Sequence, residues 1–275
     1  MFCQVGRHPE KSNGHIMQSL KLALFQLDLK WEDKQANLRK IEHLINTEVD
    51  EDSHIIVLPE MFTTAFSMNP KALAEKTDGE SVEWMRKKAA EHKKEIVGSL
   101  IIEEDGKYYN RLIWMQTDGN FFHYDKRHLF TMAGEQQHYT GGKQKLIVEY
   151  EGWKFCPVIC YDLRFPVWLR NTEHYDCLLV VANWPERRVY SWDQLLIARA
   201  IENQSYVVAV NRVGHDTNQI THNGSSSVID PAGNVLMNIK DKESVVQITL
   251  EKQKLTDIRS SMPFLEDRDD FVIKG

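Results

Sequence analysis

Runs of β-branched and aliphatic residues alternate along this chain with segments of helical spacing, and that alternation predicts most of its elements. Residues 22–27, Leu22-Ala23-Leu24-Phe25-Gln26-Leu27, read as a strand. Over residues 33–46 the apolar positions Leu38, Ile41, Leu44 and Ile45 fall three or four apart, the period of an amphipathic helix. A second strand, His54-Ile55-Ile56-Val57-Leu58-Pro59-Glu60, ends in a proline and a carboxylate. Strand, helix and strand in that order predict two parallel neighbours, because parallel pairing needs a crossover. Residues 81–94 carry Val82, Met85, Ala89 and Ala90 at helical spacing, with Ser81 as the expected cap after Asp78-Gly79. Strands over 95–102, 108–116 and 121–124, separated by Asp105-Gly106 and Asp118-Gly119, predict an antiparallel section.

A loop rich in charge and glycine spans residues 126–143, and residues 146–150 and 153–160 then form a hairpin about Glu151-Gly152. The first pattern now recurs: helix (about 166–173), strand (176–182), helix (about 191–204), strand (206–211). Antiparallel strands over 224–230, 235–239 and 245–250 follow, the first two joined by Pro231-Ala232-Gly233. No Pro-, Gly- or Ser-rich linker divides the halves, so residues 17–275 read as one domain. Residues 1–16 are polar, aperiodic and broken by Gly6, Pro9 and Gly14. They are expected to lie outside the fold, as a disordered leader, a cloning artefact or translation from an upstream start codon. The predicted class is α/β, with two sheets face to face and helices outside; periodicity leaves the strand order open.

Composition narrows the function. A chain of 275 residues that is 42% hydrophobic has material for one large core. The 40 acidic and 34 basic residues give a net charge of −6, and the cations are dispersed, which argues against nucleic acid or an anionic membrane as partner. The longest apolar run, residues 177–182, falls far short of the roughly 18 residues of a spanning helix. A small-molecule or protein partner is expected. Cys3, Cys156, Cys160 and Cys177 are too sparse for a disulfide scaffold, so a reducing, cytoplasmic setting is expected.

The chemistry concentrates at strand ends. Pro157-Val158-Ile159 stops at Cys160, and Tyr161-Asp162 leads into a helix-competent segment. A thiol at such a junction is expected to meet free backbone N–H groups and a helix N-terminus, both of which favour thiolate. A lone strand cysteine is otherwise a small buried hydrophobe. Glu60, Lys126 and Cys160 all fall where a strand ends, the part of an α/β sheet where ligand sites assemble. A carboxylate can take the thiol's proton, and an ammonium can neutralise the oxyanion formed on attack at a carbonyl or nitrile carbon. Carboxylates and lysines are also common surface residues there, and spacing alone does not choose. A zinc reading of Cys156, Cys160, His174 and Cys177 fails, since strand positions 156 and 160 would stand about 13 Å apart. His123, His128 and His138 are expected to be exposed or satisfied in the core, and Gly224-Ser225-Ser226-Ser227 lacks the lysine of a phosphate loop.

Three segments in one order decide the matter: Leu58-Pro59-Glu60-Met61-Phe62, Tyr124-Asp125-Lys126-Arg127-His128-Leu129-Phe130 and Val158-Ile159-Cys160-Tyr161-Asp162-Leu163-Arg164-Phe165-Pro166. Together they resemble the signature segments of the nitrilase (carbon–nitrogen hydrolase) superfamily, over nearly the whole chain from about residue 20. The resemblance implies a four-layer αββα sandwich, a cofactor-free and metal-free reaction, and pairing into homodimers. It implies Glu60 as general base, Lys126 as stabiliser of the tetrahedral intermediate, Cys160 as nucleophile and the Tyr161 backbone N–H as second oxyanion donor. It further implies that Glu135 lines the pocket and places the substrate.

Asn183-Trp184-Pro185-Glu186-Arg187-Arg188 with Trp192-Asp193 resembles the ω-amidase branch, which removes ammonia from the terminal amide of 2-oxo acids such as 2-oxoglutaramate. An arginine in that loop, Arg187 or Arg188, can clamp a carboxylate through two parallel hydrogen bonds. Phe62, Phe66, Tyr161 and Trp184 are the expected pocket walls. The alternatives are a nitrilase, an N-carbamoyl amino acid amidohydrolase, an aliphatic amidase, or a non-catalytic scaffold of the same fold.

Overall fold

The computed structural model describes residues 3–7 and 16–274. The chain begins with strand β1 (Cys3–Arg7) and then β2 (Ser19–Gln26), helix α1 (Lys34–Glu48) and the short β3 (Ile55–Val57). Asp33 caps α1 by accepting the Ala36 N–H at 2.9 Å, which satisfies one of the donors every helix start leaves unpaired. As predicted, β2 and β3 pair in parallel, Leu22 opposite Ile55. A single turn α2 (Pro70–Leu73) precedes α3 (Glu80–His92). Gly79, not Ser81, holds the cap position of α3; the Ser81 N–H instead donates to the Glu75 carboxylate at 2.7 Å. The antiparallel section follows as β4 (Glu95–Glu104), β5 (Lys107–Met115) and β6 (Phe121–Asp125).

The second half runs through the hairpin β7 (Lys145–Tyr150) and β8 (Trp153–Ile159), the single turn α4 (Pro166–Leu169), β9 (Cys177–Ala182), α5 (Val189–Asn203) and β10 (Tyr206–Asn211). It closes with β11 (Val213–His215), β12 (Thr221–Ile229), β13 (Val235–Lys240), β14 (Ser244–Glu251) and α6 (Lys252–Ser261). One sheet has the order β14-β2-β3-β4-β5-β6; the other has β1-β7-β8-β9-β10-β12-β11, with β13 on β12. The helix expected over 166–173 is only one turn long, and β11, α2 and α6 carry no clear periodic signal.

Residues 1–16 need a correction. Cys3–Arg7 is not outside the fold but pairs in parallel with Lys145–Glu149 as the edge strand of the second sheet. Polar residues on an edge strand satisfy their backbone in the ladder without a continuous apolar face, so periodicity does not betray them. Residues 1, 2 and 8–15 lie outside the described residues.

The layers follow from strand alternation. On β2, Leu22 and Leu24 enter the core between the sheets, whereas Ala23 and Phe25 pack outward with Leu38, Ile41 and Ile45 of α1 and Val82, Met85 and Ala89 of α3. The same division separates Ile55 and Val57 from Ile56, and Trp114 from Ile113 and Met115. The second sheet is likewise covered, by Trp192, Leu196 and Ala200 of α5 on its outer side. A sheet buried on both faces reads as continuous apolar sequence, as β9 does. The architecture is the αββα sandwich the resemblance implies, and the C-terminal ends of β3, β8 and β9 open on one region.

Candidate active site

Backbone turns aim the three segments at each other. After β3 the chain reverses at Glu60-Met61, with Met61 in the left-handed region (φ 45°) and its N–H tied to Ser99 Oγ at 2.8 Å. Lys126 continues β6: its N–H donates to the Asn110 carbonyl at 2.9 Å, and its own carbonyl accepts the Gly142 N–H at 3.0 Å. A β-carbon at residue 142 would stand 2.2 Å from the Asp125 carbonyl oxygen, so only glycine lets that loop pass. Cys160 is the first residue beyond β8 and opens a 3₁₀ turn, Cys160–Arg164, at φ 46°. A cysteine held there carries backbone strain of about 1–3 kcal/mol. The strand alternation used to separate Cys156 from Cys160 therefore ends at Ile159.

Around Lys126 lies a closed ionic cluster. Its Nζ is 2.9 Å from Glu60 Oε1 and 3.0 Å from the Glu135 carboxylate, and all three side chains are buried. Asn110 Nδ2 also donates to Glu60 Oε1 at 2.8 Å. The other oxygen, Glu60 Oε2, accepts the Asn183 N–H at 2.8 Å, while Asn183 Nδ2 donates to the Glu60 main-chain carbonyl. Burial opposes the ammonium, but Glu135 and Glu60 outweigh it and hold Lys126 above the ordinary lysine range. Burial pushes the Glu135 carboxyl up, against the pull of Lys126.

The thiol departs from the sequence expectation. Burial first, and then the charge of Glu60, push Cys160 well above the ordinary thiol range; Lys126 and the Asn183 N–H oppose them without prevailing. No long helix starts here to favour thiolate, because the 3₁₀ turn is followed only by the four residues of α4. Cys160 rests as a thiol, and the nearby Glu60 carboxylate, whose charge helps keep it protonated, is the group placed to take its proton.

Asp162 binds the cysteine turn to the lysine segment. It is fully buried and accepts from Tyr124 Oη at 2.8 Å, the Ile159 N–H at 3.1 Å and the His128 N–H at 2.9 Å. His128 Nδ1 lies 2.8 Å from the same carboxylate, and its ring stacks on Phe165 with centroids 3.7 Å apart. In the sequence Asp162 passes for a turn residue; its reach across to residues 124 and 128 is invisible there.

Cys160 forms part of the wall of a cavity of about 370 Å³. Phe66, Tyr161, Trp184, Arg187 and Arg188 line it as expected. Phe62 does not. Its ring is buried on the outer side of the first sheet, 6.2 Å from that of Trp84, because the turn at Met61 sends residue 62 away from the site. Glu135 is not a lining residue either, and in this it resembles Glu60 and Lys126; it is tied to the Lys126 ammonium and to the Phe130 N–H. Trp184 is 3% exposed, with Nε1 donating to the Arg188 carbonyl at 2.9 Å and Asn211 gripping its backbone N–H at 2.7 Å.

Besides Arg212, which pairs with Asp28, three arginines face this cavity: Arg187, Arg188 and Arg164, the last a residue of the cysteine segment. The Arg164 guanidinium lies 4.6 Å over the Trp184 ring and that of Arg188 4.9 Å over Phe130. None of the three pairs with a carboxylate among the described residues. Burial and neighbouring Arg187 draw the Arg188 guanidinium below its usual range. A fourth side, Arg212, Asp216, Asn218, Ile220 and His222 around β11 and β12, has no signature in the sequence.

Comparison with known proteins agrees with this geometry. Residues 21–260 match the carbon–nitrogen hydrolase family. The chain is 43% identical over 258 residues to the omega-amidase YafV of Yersinia enterocolitica, covering 94% of this chain and 100% of that protein. It is 33% identical to the 2-oxoglutaramate amidase of Bacillus subtilis, covering 90% and 96%. Among solved structures, a CN-hydrolase superfamily protein of Xanthomonas campestris with an arsenic adduct in its active site superposes with a TM-score of 0.91. Its sequence is 40% identical, over 94% of this chain and 100% of that one.

Proposed function

The chain belongs to the carbon–nitrogen hydrolase family, and from that premise we propose that it is an ω-amidase, hydrolysing the terminal amide of 2-oxoglutaramate or a similar 2-oxo acid to the acid and ammonia. The observation that carries this reading is the cavity: a thiol in its wall, aromatic sides, and Arg164, Arg187 and Arg188 without carboxylate partners. Arg164 and Arg188 are half-buried and Arg187 is exposed at the mouth, so a small carboxylate ligand can reach all three and take charge-assisted hydrogen bonds that no protein carboxylate supplies. A plain nitrile or aliphatic amide would leave them uncompensated.

The residues act in sequence. Glu60 takes the proton from Cys160 as sulfur attacks the amide carbon, and the carbonyl electrons move to oxygen. Lys126 and the Tyr161 N–H meet that charge, the ammonium being held ready by two carboxylates. Glu60 returns its proton to the amide nitrogen, the carbon–nitrogen bond breaks, and ammonia leaves a thioester on Cys160. Water then gives a proton to Glu60 and its hydroxyl to the acyl carbon; collapse releases the acid, and the proton passes back to sulfur. Glu135 fixes Lys126 and the Phe130 backbone. Assay for released ammonia tests the substrate: 2-oxoglutaramate and succinamate are expected to be hydrolysed and an aliphatic nitrile not. Ammonia from neither amide overturns the ω-amidase reading.

The same reading makes the protein a cytoplasmic homodimer. No helix among the described residues is long and apolar enough to cross a membrane. Tyr190 (78% exposed) and Ile201 (45%) lie eleven residues, about three turns, apart on α5, and Ile201 packs against the Gly233 turn beside exposed Val235 and Leu236. A second copy would cover this face. Sedimentation equilibrium is expected to give twice the chain mass, and Tyr190→Glu to halve it; a wild-type monomer at micromolar concentration rejects the pairing.

A further inference from the structure

We infer that His222 is a substrate-selecting residue, whose imidazole hydrogen-bonds the 2-oxo oxygen and so separates 2-oxo amides from amides of the same length without that oxygen. This deepens the ω-amidase reading and rests on it. His222, at the start of β12, is 6% exposed and lines the cavity that contains Cys160. Its Nδ1 is buried without a hydrogen-bond partner among the described residues. An orphaned polar atom is ordinarily avoided inside a protein, because it forfeits its bonds to water and receives none in return. In the wall of a ligand cavity the missing partner is supplied by the ligand.

Position and charge indicate which ligand atom. The ring lies against the backbone of Ile220 and Asn183, and the Asn183 N–H holds the Glu60 carboxylate at 2.8 Å. His222 is therefore one residue removed from the groups around Cys160. The charged groups acting on the ring are Arg212, itself buried, and Asp216, both in the lining of the same cavity. Burial, and then Arg212, depress the imidazole to about 4, so it is neutral at neutral pH. A neutral ring is a poor partner for a carboxylate, which has three unpaired arginines to choose from in the same cavity. It suits an uncharged oxygen, with its proton on the nitrogen that meets the substrate. A 2-ammonium group in the same place would face the cationic wall instead.

The test compares kcat/KM on 2-oxoglutaramate and on glutaramate, which lacks only the 2-oxo oxygen. In His222→Leu the preference for the oxo amide is expected to fall by about tenfold to a hundredfold, with glutaramate turnover kept within about threefold. His222→Gln, which retains an N–H donor, is expected to recover part of the preference. Equal loss on both substrates would assign His222 to packing alone, and an unchanged ratio would remove it from recognition; either overturns the inference. Wild-type protein inactive on 2-oxoglutaramate overturns the ω-amidase reading itself, before any variant is made.

Discussion

Cys160→Ala is expected to lower ammonia release by four orders of magnitude or more, with little change in the urea midpoint of unfolding. Loss of a covalent nucleophile removes the intermediate itself, and in other hydrolases that costs about 10⁶ in kcat. The fold has little stake in the sulfur, since Cys160 is only partly buried and packs at the edge of the main core. Alanine also keeps the β-carbon that fills the turn at φ 46°. Intact-protein mass after brief mixing with substrate gives the positive counterpart: an acyl adduct on wild type and none on the variant. If Cys160→Ala turned over within tenfold of wild type, the thioester route would be wrong.

Lys126→Met is expected to damage stability and activity together. Among the described residues the ammonium is the only cation within hydrogen-bonding reach of both Glu60 and Glu135, and all three are fully buried. Removing it leaves two carboxylates facing each other in the interior, a situation that costs on the order of 3–5 kcal/mol when one partner of a buried ion pair is deleted. The oxyanion also loses its cation, worth about 10²–10³ in kcat for a single donor. The double change Lys126→Met, Glu135→Gln separates the two effects. It is expected to recover much of the stability, because one buried charge is gone, and none of the activity. Denaturant titration and ammonia release measure them side by side; a Lys126→Met protein as stable as wild type would mean that the carboxylates need no counterion.

The three signature segments were legible because each is local: a buried strand, a turn and one polar residue within a few positions. Glu60 and Lys126, 66 positions apart, do meet, and Glu60 acts on the Cys160 thiol from still farther along the chain. Asp162, which joins two of the segments, looked like a turn residue because its partners Tyr124 and His128 lie more than thirty residues away. Phe62, expected in the pocket wall, packs on the outer side of its sheet for a related reason. Strand alternation holds only while φ stays extended, and the left-handed turn at Met61 resets which way the next side chain points. The expected thiolate fails because the helix that was to favour it is a single turn, and because burial, which depends on the whole fold, and the charge of Glu60 outweigh Lys126 and the Asn183 N–H.

By itself, then, the sequence determined the α/β class, the parallel and antiparallel sections and the family, since all of these rest on hydrophobic period and on short motifs. Strand order, the pairing of Cys3–Arg7 with β7, the ion pair of Glu135 with Lys126, and the gathering of Arg164 and His222 into one cavity lining with Arg187 and Arg188 were decided only by the tertiary structure. Period and motif record how a residue relates to its neighbours along the chain. A pocket is a relation among residues that only packing brings together, and its charge and proton affinities depend on how much water that packing removes.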